Sequence, residues 1–133
     1  MSKSNGLEVD QDTGGRVMLF VYRTPKKNHD AMMRVNKQSV DLFRKFGVRL
    51  EPFQLTSTEA MMDFTNIAKT VSANQDEEEV WLELQFYRDQ KHLEDVMAKM
   101  EHDETGPQLF REFMGLVTPG SSVIMGDFSS PKV

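Results

Sequence analysis

Val80-Trp81-Leu82-Glu83-Leu84-Gln85-Phe86-Tyr87 is the stretch on which the fold turns. Side chains alternate along an extended chain, so Val80, Leu82, Leu84 and Phe86 share one face and Trp81, Glu83, Gln85 and Tyr87 the other. The first face is wholly apolar and is expected to lie buried under helices. The second is aromatic at its ends and polar in its middle, an unusual mix for a face open to water. The stretch reads as the central strand of a small sheet, with helices on the aliphatic side and a damp surface on the other.

Working outward, Arg16 to Arg23 gives the first strand. Val17, Leu19 and Val21 alternate with Met18, Phe20 and Tyr22, so both faces are apolar and both call for cover. Thr24-Pro25 reads as a helix start, with Thr24 as N-cap and Pro25 at the first helical position. Met32, Val35, Ser39, Leu42, Phe43 and Phe46 recur at helical spacing, and Gly47 stands where a left-handed cap is wanted. These signals predict a long amphipathic helix over residues 25–46. Val48 to Leu55 reads as an edge strand, because Pro52 cannot donate to a ladder and Arg49 and Glu51 tolerate solvent. Residues 58–71 fit a short helix or an irregular connection, and residues 72–79 an acidic turn. Asp89 caps a second helix with Leu93, Val96, Met97 and Met100 on its apolar side. A shorter helix over residues 107–115 carries Leu109, Phe110, Phe113 and Met114 and suits either a satellite core or a lid. Ser122 to Phe128 forms the last strand.

The order predicts an α+β domain of ferredoxin-like βαββαβ type, an antiparallel sheet with its helices on one face. In that layout the first and third strands are central, and these are the two that carry apolar residues on both faces. A second copy laid on the uncovered face would bury it, so a homodimer is expected; the acidic connection or the terminal tail is the alternative cover. The domain should span residues 16–129. Residues 1–15 are polar and read as a disordered tail, and residues 130–133 as a short C-terminal one.

Composition bounds the function. The 133 residues suit one domain, with 38% hydrophobic and 28% charged residues. A net charge of −5 gives no basic excess for displacing counterions from nucleic acid. No apolar run reaches the length of a membrane span. The polar start lacks the apolar core of an export signal, and there is no cysteine, so a cytoplasmic protein is expected. Ten methionines suit an irregular core or an oligomer seam.

The helix from Pro25 to Gly47, Glu78-Glu79-Val80 opening a strand, Met100 to Asp103 closing a helix, and the ending Ile124-Met125-Gly126-Asp127-Phe128 resemble the YbaA-like domain-of-unknown-function family. The resemblance covers roughly residues 16–129. It implies a ferredoxin-like subunit that pairs sheet to sheet as a dimeric α/β barrel. It implies no activity, and fold alone selects none.

For chemistry, the strongest grouping is the mixed face: Trp81, Glu83, Gln85 and Tyr87, with Tyr22 from the first strand. A glutamate in a partly dry cavity has a raised pKa, so Glu83 is the candidate catalytic acid or base. Trp81, Gln85, Tyr87 and Tyr22 are the candidate ligand-binding residues, with aromatic walls for a small organic molecule. The competing expectation is a dimer seam in which Glu83 pairs with Arg16, Arg23 or Arg49 of either chain. His29, His92 and His102 lack metal-ligand spacing, and Gly14-Gly15 does not join a strand to a helix as a phosphate loop would. No metal or cofactor is implied. The functional expectation is a dimer holding a small ligand in its barrel, against a cofactor-independent monooxygenase or isomerase and a non-catalytic interaction module.

Overall fold

The computed structural model describes residues 15–131. The expected N-terminal tail, apart from Gly15, and the last two residues of the C-terminal one lie outside the described residues. In chain order the elements are β1 (Arg16–Pro25), a 3-10 turn (Lys26–Asn28), α1 (His29–Lys45), β2 (Arg49–Gln54), α2 (Ile67–Thr70), β3 (Glu78–Tyr87), α3 (Gln90–Glu101), α4 (Thr105–Leu116) and β4 (Ile124–Ser129). The architecture is α+β. Its four-stranded antiparallel sheet has the order β2-β3-β1-β4, so β1 and β3 pair at the centre.

β1 runs two residues further than expected. Its pairing with β3 continues to Pro25 opposite Glu78, and the Lys26 N–H then bonds to the Glu77 carbonyl. Thr24 is thereby fully buried in the strand, where its hydroxyl donates to the Leu116 carbonyl at 2.6 Å instead of capping a helix. The α-helix consequently starts at His29. At its other end Gly47 takes φ +75°, the left-handed turn a side chain resists, and its N–H bonds to the Arg44 carbonyl. Asp89 caps α3 as expected, accepting from the His92 N–H at 2.8 Å.

The largest correction concerns the two faces of β3. Trp81 packs with Tyr22, Met32 and Val117, and Tyr87 with Val48, Leu93 and Val96. The aromatic-polar face therefore lies under the helices. Its cross-strand neighbours on β1 are Arg16, Met18, Phe20 and Tyr22. The aliphatic face that was expected under the helices is the open side of the sheet. It carries Val17, Leu19 and Val21 from β1, Val80, Leu82, Leu84 and Phe86 from β3, Phe53 from β2, and Ile124 and Phe128 from β4. The physical reason lies in the helical layer. Asn36, buried on the inner side of α1, brings a polar group that a wholly aliphatic face could not accommodate, whereas the Tyr22 hydroxyl accepts from it at 3.4 Å.

α4 is core rather than lid. Leu109 packs with Val35 and Leu42 of α1, and Phe113 meets Tyr22 edge-on at 4.7 Å. Among the described residues no helix is long and apolar enough to cross a membrane.

Candidate functional site

The five sequence-selected residues all fall on the helix-facing side of β1 and β3, and they divide into linked groups. Three of them form a hydrogen-bonded row along β3. The buried Tyr87 hydroxyl donates to Gln85 Oε1 at 2.7 Å, and Gln85 Nε2 donates to Glu83 Oε2. Their spacing of two residues stacks the side chains on one face, which makes the row possible. Glu83 Oε1 has no protein hydrogen bond among the described residues. Tyr22 sits one cross-strand position beyond Phe20, the β1 partner of Glu83, and is linked to Asn36.

The electrostatics follow from burial. Glu83 keeps some exposure as a residue, but its carboxyl is withdrawn far enough for desolvation to raise its pKa, an effect that the Gln85 bond opposes. Both phenols are pushed far above their ordinary range, first by burial, with the negative charge of Glu83 adding to it. Tyr22 and Tyr87 thus remain protonated donors at any physiological pH. Within the chain, no ion pair joins Glu83 to an arginine among the described residues. Arg16 binds Asp127 through Nε at 3.1 Å and through its terminal nitrogen, and Arg23 binds Glu78 at 3.0 Å. Arg49 reaches Glu51 at 3.3 Å and lies over the Phe86 ring at 4.1 Å, on the open face. The arrangement offers a protonatable carboxyl with no cation beside it among the described residues, backed by the Gln85 amide and through it by the Tyr87 phenol.

Trp81 belongs to a second group that sequence reasoning missed. Its indole Nε1–H donates to Glu79 Oε1 at 3.1 Å, and His29 Nδ1–H donates to the same carboxylate at 2.9 Å and 3.0 Å. The Glu79 bond, followed by its charge, raises the His29 pKa. The available signal was Glu79 itself, two residues before Trp81 and hence on the same face. Its neighbour Glu78 points the other way. Burial pushes that carboxyl up, but the Asn74 N–H, the Thr118 hydroxyl and Arg23 together hold it below its usual range. His92 is structural: Nε2 bonds to the Phe46 carbonyl at 2.7 Å and Nδ1 accepts from the Arg88 N–H, so both ring nitrogens are engaged by backbone. No group of three metal-ligating side chains occurs among the described residues.

Two surface grooves run between α1 and α4. The larger, about 380 Å³, is lined by Ala31, Arg34, Gln38, Glu112 and Gly115 among others, and neither groove includes a residue of the Glu83 row. Among curated proteins, none matches the chain. The sequence profile described as "Protein of unknown function (DUF1428)" matches residues 16–114. That match spans β1 through most of α4, and with it every residue of the row, so the chain belongs to the DUF1428 family.

Proposed function

We propose that the protein is a cytoplasmic homodimer in which each subunit offers Glu83 to a small organic ligand. The fold reading behind it is ferredoxin-like. β1 and β2 both run antiparallel to β3 between them, so they are parallel to each other, which is the split βαβ relation. The dimer reading, a two-sheet α/β barrel, rests on the open face. Phe53, Ile124 and Phe128 there are about half exposed, and an apolar face of this kind marks an interaction surface.

The observation that carries ligand binding is the state of Glu83. A carboxyl kept for structure is ordinarily ion-paired or solvated. This one is desolvated and, among the described residues, has no cation partner and keeps one oxygen free of protein bonds. It suits a small uncharged polar molecule that can hydrogen-bond the free carboxyl oxygen. Native mass spectrometry of the purified protein tests both parts. The expected result is a two-subunit mass with a retained small molecule that Glu83→Gln loses. A bare protein whose Glu83 titrates like a solvated glutamate removes the binding reading, and a single-subunit mass removes the dimer.

Proton-transfer catalysis without a cofactor is the second reading. It is favoured by the direct link from Glu83 through Gln85 to the Tyr87 hydroxyl, which would steady the carboxyl while it exchanges a proton.

A further inference from the structure

The connection between β2 and α2 presents Met61, Met62 and Phe64 at 69%, 81% and 63% exposure, more than any apolar side chain of the sheet. It is a held loop. Asn66 Nδ2 donates to the carbonyls of Ser57 and Glu59, both at 3.0 Å, while Asn66 Oδ1 accepts from the Ala68 N–H. The Phe64 N–H closes on the Met61 carbonyl, and Met62 between them takes φ +55°, a backbone that non-glycine residues seldom adopt. Three greasy side chains are thus fixed at the tip of an ordered turn.

The loop is continuous with the open face of the sheet. It leaves β2 just beyond Phe53, with the Leu55 N–H bonded to the Val80 carbonyl. The chain after α2 returns to the same side, where Arg23 reaches the Ser72 carbonyl and Val21 and Val80 are already buried. The sheet by itself is small. Two strands of ten residues and two of six, at about 3.3 Å per residue and about 4.8 Å apart, give a footprint of roughly 500 Å². A stable pairing needs about 800 Å² from each partner. Side chains of this size carry about 150–250 Å² apiece, so at these exposures the loop adds roughly 350 Å². Neither surface reaches the required scale alone; together they do.

The geometry points to residues 57–66 as a clasp that closes on a second copy of this chain, burying Met61, Met62 and Phe64 against the rim of the partner's sheet. This inference rests on the dimer reading above. A second copy is favoured over an anionic bilayer by charge, since residues 56–66 contain Glu59 and Asp63 and no lysine or arginine. Two-fold symmetry applies the contact twice, once from each subunit.

Methionine oxidation of the intact wild-type protein by dilute peroxide, read by peptide mass spectrometry, tests the clasp. Met33, 49% exposed on α1, is the internal reference. Met61 and Met62 are expected to oxidise at least ten-fold more slowly than Met33 in the dimer. The variant Met61→Ser/Met62→Ser/Phe64→Ser should weaken dimerisation at least a hundred-fold in sedimentation velocity with an unchanged circular dichroism spectrum. A wild type that sediments as a monomer overturns the dimer reading and the clasp with it. A dimer that Leu84→Asp dissociates, but whose Met61 and Met62 oxidise as fast as Met33, leaves the dimer standing and overturns the clasp alone. Protection that appears only with phosphatidylcholine vesicles also overturns it, in favour of a lipid contact.

Discussion

Replacing Leu84 by aspartate separates the two faces of β3. Leu84 lies at the middle of the open face, in a cross-strand row with Gly126, Leu19 and Glu51. Within one subunit it is half-buried. The change there loses part of a leucine's burial, puts a poor strand former in β3 and sets a like charge opposite Glu51, about 2 kcal/mol in all. For a domain of this size that lowers the Tm by roughly 6–10 °C and leaves the protein folded. In the proposed dimer a second loss is added. Full burial of a leucine contributes about 1.5–3 kcal/mol, of which pairing supplies about half, and symmetry counts it twice. The sum of roughly 1.5–3 kcal/mol raises the dimer Kd by about 10- to 10²-fold, before any cost of desolvating the new carboxylates. Sedimentation velocity across a dilution series, paired with thermal melts by circular dichroism, reads both effects. Tyr87→Asp is the contrast, because Tyr87 is fully buried under the helices and its replacement should unfold the chain. Unfolding by Leu84→Asp to the same degree would show that the aliphatic face is core after all. An unchanged Kd would show that no second copy rests on it.

Three further outcomes follow from single side chains. Glu83→Gln should stabilise the protein at pH 7 and have no such effect below about pH 4. Burial raises the folded pKa of Glu83, so the wild type loses stability as pH climbs from the ordinary carboxylate range through that raised value, and the amide does not; equal pH–stability curves for the two proteins would refute it. For His29→Ala the sign is that of a raised histidine: the Glu79 pairing contributes fully below the ordinary histidine pKa and fades as pH rises through the folded one. The variant should therefore differ more from wild type in urea melts at pH 5.5 than at pH 8.5, and a constant difference contradicts the pairing. Gly47→Ala should lower stability by about 1–2 kcal/mol, because a left-handed backbone is strained with any Cβ; a neutral effect in chemical denaturation means the turn relaxes.

Much of the frame was legible from periodicity. Met32, Val35 and Leu42 mark the buried stripe of α1, Asp89 and Gly47 mark helix ends, and apolar residues on both faces single out β1 and β3 as central. What alternation cannot supply is which face meets the helices. A period of two yields two unlabelled sides, and the label came from Asn36, a polar residue inside an otherwise apolar stripe. The candidate site was legible as a set of residues but not as a set of partners. Arg16 and Arg23 looked available to Glu83, yet Asp127 and Glu78 hold them from β4 and from the end of β3. The His29–Glu79 contact joins positions 50 residues apart and leaves no local trace.

Glu78 and Glu79 are consecutive residues that anchor opposite sides of the same sheet edge. One is fastened by Arg23 and Thr118 with a depressed pKa, and the other receives His29 and Trp81. Sliding β3 by one residue would trade a permanently charged anchor for one whose grip varies with acidity, on both sides at once. The dipeptide therefore works as a registration key: it penalises the mis-threaded sheet twice, once on each face of β3.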